Sequence, residues 1–594
     1  MPRVDTRSGG PAPKNPYSSL PLGWAVAIGV LTFLAYARTL TFQFVHDDRG
    51  LILNNPAVRD WHFVLSYFTS HLWAGLNPHG VKSDYRPLCL VLFRINDAIF
   101  GGHVAGWHFS CVLIHVLATL SVFVLAQRIV GDRPAALFGA LIFGVHPVHI
   151  ESVAWISAVT EPLMALFLIH AYLCWVQGRE GGSRPRLWTA GALTLYALGL
   201  LTKETAIVLP LILGASLWLD FPLPLPRTGW AQRAWDGLKS LHPFLLVTGI
   251  YVIVRVLALR GFAHPTSRIS WRWVVLTWPS LIMFYLKLLI WPVGLGHFYN
   301  LFFVQHFTLG SVVAPTAVLL VVAGLLGHWA RRSRPAALAI PWLILPLLPV
   351  LNIQFFGEGN FAHDRYLYLP SVGFVLLLSL ALRQLKWGTG TFHGIPRSQG
   401  LVCCGLVLLL GTAVNLEDGC YANDATFYFY ADSRTRGLYP AYLMDYANAL
   451  AEQGDFARAG EIYHQLIQAH PDMSAAYYNL GIMDYHQGQL GEAQQSLSQC
   501  VAIDPLQAGG YFYRGLTNLK LNRLDEAEAD LRHAVVLNPA APHYHFALGV
   551  LLKLRGNYRE ALAEFAQELQ INPHDQSAAE QTTELSHLPS GRRR

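Results

Sequence analysis

Charge is what this sequence has least of. Asp, Glu, Lys and Arg make up 13% of its 594 residues, about half the roughly 25% of a soluble globular protein. That deficit excludes a wholly soluble chain. Cysteine is sparse too: seven residues, an odd number, with no CxxC spacing. Neither a disulfide framework nor a zinc knuckle is indicated. Cys403 and Cys404 fall in an apolar run and read as buried thiols, which leaves Cys420 and Cys500 in more polar surroundings. The net charge of +6 is thinly spread, with no basic stripe interleaved with aromatics, so nucleic acid is not an expected partner.

Long apolar runs are what the sequence has in abundance. Hydrophobic residues make up 53%, with 17 Trp and 25 Tyr, and they mark an integral membrane protein. Their distribution is uneven. Residues 20–416 carry runs near the ~20 residues that span a bilayer, whereas 432–594 read as an ordinary soluble region.

Residues 1–19, with Arg3, Arg7 and Lys14, read as a cytoplasmic tail on the positive-inside rule. The first apolar segment, 21–40, is expected to be an uncut anchor, although Ala35-Tyr36-Ala37 resembles a signal cleavage site. It delivers Val45-His46-Asp47-Asp48-Arg49 to the far side of the membrane. An aromatic-rich outer loop follows over 42–103, with interfacial helix expected near 61–73 and Tyr85-Arg86-Pro87-Leu88 closing it. Further segments fall near 107–128, 135–150, 153–177, 187–202, 204–219, 242–259, 275–292, 310–328, 336–352, 366–383 and 400–416. Clusters of Arg and Lys sort the loops by side. A return to the same side between Lys239 and Arg331 makes one of the three segments there, with 275–292 the first candidate, re-entrant or interfacial. The result is about 11 crossings, with the C-terminal region outside.

The outer ends of these segments are unusually polar: His146, His149 and Glu151 at one turn, Lys203 and Glu204 at the next, and Glu358 with His363-Asp364-Arg365 at a third. All share the expected face of Asp47 and Asp48. Ionisable groups at membrane depth are costly unless they are paired or working. An Asp could accept a proton from a hydroxyl nucleophile, or the pair could hold a divalent metal against phosphate. Arg86 and Arg365 could snorkel or clamp a phosphate. Lys203 and Glu204 could pair with one another. Two histidines three apart are more often structural than metal ligands.

From 439 to 575 the sequence repeats. Pro471, Pro505, Pro539 and Pro573 are 34 apart, as are Ala459, Ala493, Ala527 and Ala561, and Ala447, Gly481, Gly515 and Gly549. This is the period and pattern of four tetratricopeptide repeats. Such arrays bind peptide or scaffold partners, and Tyr477, Tyr511 and Tyr544 on the first helices are candidate groove residues. Residues 417–438 read as a linker and 576–594 as a frayed tail. The fold class is all-α: a polytopic membrane body followed by an α-solenoid.

The Asp-Asp loop, Tyr85-Arg86-Pro87-Leu88, His146–Ala154, Lys203-Glu204-Thr205 and Arg365–Phe374 occur in that order. In this combination the chain resembles the transmembrane and tetratricopeptide-repeat protein O-mannosyltransferases, within the C-type glycosyltransferase superfamily. The resemblance implies a hexosyltransferase using a polyprenyl- or dolichyl-phosphate sugar on the extracytoplasmic side, with Ser or Thr of a protein as acceptor. It gives the role of general base to Asp47 or Asp48, with Asp47 first. It puts Arg86, Arg365 and more loosely Lys203 at the donor phosphate, and leaves His146, His149, Glu151 and Glu204 in support. No cofactor is required, though a divalent metal would help. Compact loops suggest a bacterial inner-membrane protein facing the periplasm; a eukaryotic one would face the ER lumen. The rival readings are a membrane scaffold and a transferase acting on lipid or surface glycan.

Overall fold

A computed structural model describes residues 21–76, 84–181, 184–223, 229–261, 269–356, 359–385, 387–388, 390–392 and 395–587. The chain forms two compact units, 1–436 and 437–594.

In the first unit, nine helices among the described residues are long and apolar enough to cross a membrane. The count is ten if the bent pair Arg133–Gly144 and Pro147–Ala154, which meet at 49°, is one broken span. This is short of the expected eleven. Of the expected segments, 187–202 forms the helix Pro185–Thr202, which is not among the nine, and 204–219 forms the shorter apolar piece Glu204–Trp218, beyond an extended Lys203 (φ −157°, ψ 138°). Segment 275–292, the first candidate for re-entry, lies instead in a 20-residue helix, Trp271–Ile290, that meets the length and composition of a span. The broken geometry belongs to 133–154.

Two kinds of helix surface are visible. Trp107, Tyr172, Trp342 and Tyr368 are fully buried between helices. The helix Ala314–Arg332 buries none of its residues and exposes Leu320, Val321 and Leu325, as a helix facing hydrocarbon does.

The segment 42–103 folds back onto the membrane helices and shares a core with them. Short helices Pro56–Arg59 and Val64–Tyr67 and the helix Pro87–Phe100 bury Val58, Tyr67, Leu90 and Phe93 with Trp107, Ile156 and Val159. Tyr67 donates its hydroxyl to the Ala57 carbonyl at 2.6 Å, which ties the loop internally.

The stretch 417–438 is not a linker. It forms a turn, Asp418–Tyr421, and a helix, Asp424–Thr435, that pack into the first unit. Asn423 and Thr426 cap the helix reciprocally, so its first amide groups are satisfied without help from solvent.

The second unit is four helix hairpins, from Pro440–Glu452 with Phe456–Ala469 to Tyr544–Leu554 with Tyr558–Ile571. The 34-residue period is a packing requirement. Ala459, Ala493, Ala527 and Ala561 are all 0% exposed. A Cβ at Gly481, Gly515 or Gly549 would come within 2.6, 2.8 or 2.7 Å of Leu497, Leu531 or Phe565. The expected tail is a helix over Gln576–Ser586, capped by Asp575, that buries Ala578 and Leu585 against the last hairpin. Arg592, Arg593 and Arg594 lie outside the described residues.

Candidate active site

The site begins where the first span ends. After Thr41 the chain turns through 42–48, with His46 in the left-handed region at φ +51°. Asp47 is half-buried and lines a cavity of about 510 Å³. Asp48 is not part of the lining and is fully buried. One of its oxygens accepts from the Ser157 amide at 2.8 Å and from the Ser157 hydroxyl; the other accepts from the Val45 amide at 3.3 Å. Burial pushes its carboxyl up to about 7, against the opposing pull of the Ser157 hydrogen bonds.

The same cavity is lined by Arg86, Lys203, Glu204 and Arg365. Each of these three cations has a carboxylate partner. Arg86 donates to Glu204 at 3.2 and 2.9 Å and sits 2.8 Å from Asp84. Lys203 pairs with Glu161, both nearly buried, and lies 5.4 Å above the Tyr366 ring. Arg365 gives its backbone amide to Glu151 at 2.8 Å and its guanidinium to the same carboxylate. The guanidinium is flanked by the rings of Trp155 and Tyr366 at 5.3 and 5.2 Å. Three of the four cations that line the cavity, Arg255 being the fourth, are thus fixed by carboxylate partners. An internal Lys203–Glu204 pair does not form; the two residues point to different partners.

Glu151 is a hub. Besides Arg365 it meets His297, Nδ1 to Oε1 at 2.8 Å. Burial and the nearby Arg365 hold His297 well below the usual imidazole range. Glu151, His297 and His363 bring one potential ligand atom each within 4.8 Å of one another. As arranged, the set does not fit a metal: the Arg365 guanidinium bonds the Glu151 oxygen and lies 3.2 Å from His297 Nδ1. It already supplies the positive charge there. Nor do Asp47 and Asp48 present paired oxygens, since those of Asp48 are committed to Ser157 and Val45.

His146 and His149 do not reach the cavity. His146 caps the turn after Gly144, accepting from the Val148 amide at 3.2 Å and bonding the Leu289 carbonyl at 3.0 Å. His149 bridges Phe143 O and Ser371 Oγ, each at 2.9 Å. Both hold the break between the two half-helices, so their support is structural. Glu358 lies outside the described residues.

Glu161, His297, Asp84 and Trp155 were not anticipated. Glu161 had a signal, an acid inside an apolar run; His297 sits in a loop with none. In the repeats, Tyr477, Tyr511 and Tyr544 are all half-buried. Tyr544 stacks on Phe512 of the preceding repeat at 4.4 Å, and Tyr511 packs on His533 at 4.3 Å. Two of the three thus take part in packing.

Residues 84–226 match the family model "Dolichyl-phosphate-mannose-protein mannosyltransferase", a stretch that contains Arg86, Glu151, Glu161, Lys203 and Glu204. Residues 450–509 and 514–576 match tetratricopeptide-repeat models. The human protein O-mannosyl-transferase TMTC1 is 26% identical over 526 residues, covering 78% of this chain and 57% of that protein. The chain is similar over about three-quarters of its length to the transmembrane and tetratricopeptide-repeat protein O-mannosyltransferases. A Drosophila melanogaster homologue, Tmtc1, is 27% identical over 76% of this chain and 62% of its own length. The chain therefore spans roughly three-fifths of the curated relatives it matches. Among solved structures, MamA is similar over 25% of this chain and 80% of its own, at 23% identity and a TM-score of 0.24. The solenoid assignment rests on the period and the hairpins, not on that likeness.

Proposed function

We propose that this chain is a glycosyltransferase that moves a hexose from a lipid-phosphate donor to Ser or Thr hydroxyls of acceptor proteins. Asp47 acts as general base. It takes the hydroxyl proton as the acceptor oxygen attacks the anomeric carbon from the side opposite the phosphate. The new C–O bond forms as the anomeric carbon–phosphate oxygen bond breaks, inverting the centre. The lipid phosphate leaves with the bonding pair and gains one negative charge. Arg86, Arg365 and Lys203 meet that charge, and Glu204, Glu151 and Glu161 keep them oriented. The carrier is a polyprenyl phosphate, mannose is the first sugar to test, and the reaction runs on the extracytoplasmic face. The repeats hold the acceptor polypeptide.

One observation carries this reading: Asp47 lines a single cavity with four side-chain cations, Arg86, Lys203, Arg255 and Arg365, while Asp48 is fully buried outside it. The test is mass spectrometry of exported proteins from cells carrying the wild-type chain, Asp47→Asn or no copy. Hexose on Ser/Thr peptides should be present only with the wild type. Unchanged modification in Asp47→Asn would remove Asp47 as base. Unmodified proteins with altered lipid-linked glycan would move the acceptor to lipid.

A further inference from the structure

The turn that carries Asp47 is held from two sides, and only one belongs to the cavity wall. On that side Asp48 is fixed by Ser157. On the other stands the helix Asp424–Thr435, which follows the last apolar span and precedes the repeats. Its Asp424 accepts from the His46 amide at 2.8 Å with one oxygen and from Arg49 Nη1 at 2.9 Å with the other. Phe427 stacks on the His46 ring at 5.1 Å with the planes 22° apart. The Tyr428 hydroxyl lies 3.1 Å from His46 Nδ1. Just before the helix, the Ala422 carbonyl accepts from the Gln43 amide at 2.9 Å.

These contacts all fall on residues flanking Asp47, and His46 needs them. A non-glycine residue in the left-handed region is held there against its own preference by what surrounds it. Asp424 takes the amide that this turn directs away from the loop, and Phe427 and Tyr428 fix the ring. The helix also reaches the hub beneath Arg365, with Phe427 at 5.5 Å from His297 and 6.0 Å from Phe298. One short helix thus touches both the base-bearing turn and the support of a phosphate-binding arginine.

We infer that Asp424–Thr435 is a strap that positions Asp47 for catalysis, with Asp424, Phe427 and Tyr428 as positioning residues that never touch substrate. The inference deepens the reading of Asp47 as base and rests on it.

The test uses the full-length protein in membranes or detergent. Deuterium exchange of peptides covering 42–49 reads the strap without any activity. Asp424→Ala should speed exchange there about tenfold, the loss expected when an amide loses a charged acceptor, and Asp424→Glu should largely restore protection. Unchanged exchange would overturn the strap. In transfer assays with polyprenyl-phosphate mannose and a Ser/Thr peptide, Asp424→Ala should lower kcat about ten- to hundredfold, as misplacement of a catalytic group does. KM for both substrates should stay within about twofold. Raised KM at unchanged kcat would overturn the inference. If Asp424→Ala does not accumulate, Tyr428→Phe gives the milder version, with the same split expected. Asp47→Asn runs in parallel. At full rate it would sink the base reading whatever Asp424 does. If it is inactive while Asp424→Ala keeps full kcat, the strap alone fails.

Discussion

Arg86 and Glu204, 118 positions apart in the chain, meet as a two-point ion pair, Nε to Oε2 at 3.2 Å and Nη2 to Oε1 at 2.9 Å. The pair faces the cavity, with Arg86 19% and Glu204 34% exposed. A part-buried, two-point contact of this kind fixes the plane of the guanidinium. Arg86→Lys keeps the charge and loses the planar fork. We expect donor KM to rise about tenfold with the melting temperature little changed. A large fall in melting temperature at unchanged KM would make Arg86 structural.

Lys203 and Glu161 are a different case, at 3% and 4% exposed. Removing one member of a buried pair strands the other charge at a cost of about 3–5 kcal/mol. Lys203→Met should lower thermal stability sharply, and Lys203→Met/Glu161→Gln should recover most of it. Neither should transfer sugar. Recovery of both stability and transfer in the double variant would show that Lys203 does no more than neutralise Glu161.

Asp48 predicts a pH dependence. Burial raises its carboxyl from an ordinary 3.8 to about 7 in the folded protein. Its share of stability is full below about pH 4 and is lost as pH rises through about 7, since only the folded state favours the proton. The wild-type melting temperature should fall between about pH 4 and 7 by more than that of Asp48→Asn. Equal slopes would refute the assignment.

In the repeats, Gly515 stands 2.8 Å from Leu531 when given a Cβ. Gly515→Val should destabilise the array by about 2 kcal/mol through overpacking, read as a lower unfolding temperature. An unchanged transition would mean that the second helix of that hairpin shifts freely.

The sequence made some of this legible and hid the rest for physical reasons. The 34-residue step is written in small residues, because two helices approach closely only where a side chain is missing. The polar outer ends were legible because charge in an apolar context stands out, and Asp47, Arg86, Lys203, Glu204 and Arg365 do line one cavity. The pairings were not. Lys203 with Glu161 and Arg365 with Glu151 are 42 and 214 positions apart, and nothing local selects these partners over the adjacent Glu204. The helix Asp424–Thr435 read as a linker because its apolar residues serve the outer loop rather than a span. The Asn423–Thr426 cap was its one local signature.

That helix also sets where this protein can be cut and rejoined. The membrane unit does not end with its last apolar segment at 416; it ends at Arg436, in the left-handed conformation at φ +57°. A truncation at 416 discards Asp424 and unfastens the turn before Asp47, whereas one at 436 leaves the turn fastened. Residue 436 is thus the graft point at which another repeat array could be joined with the contacts of Asp424 to the turn left in place.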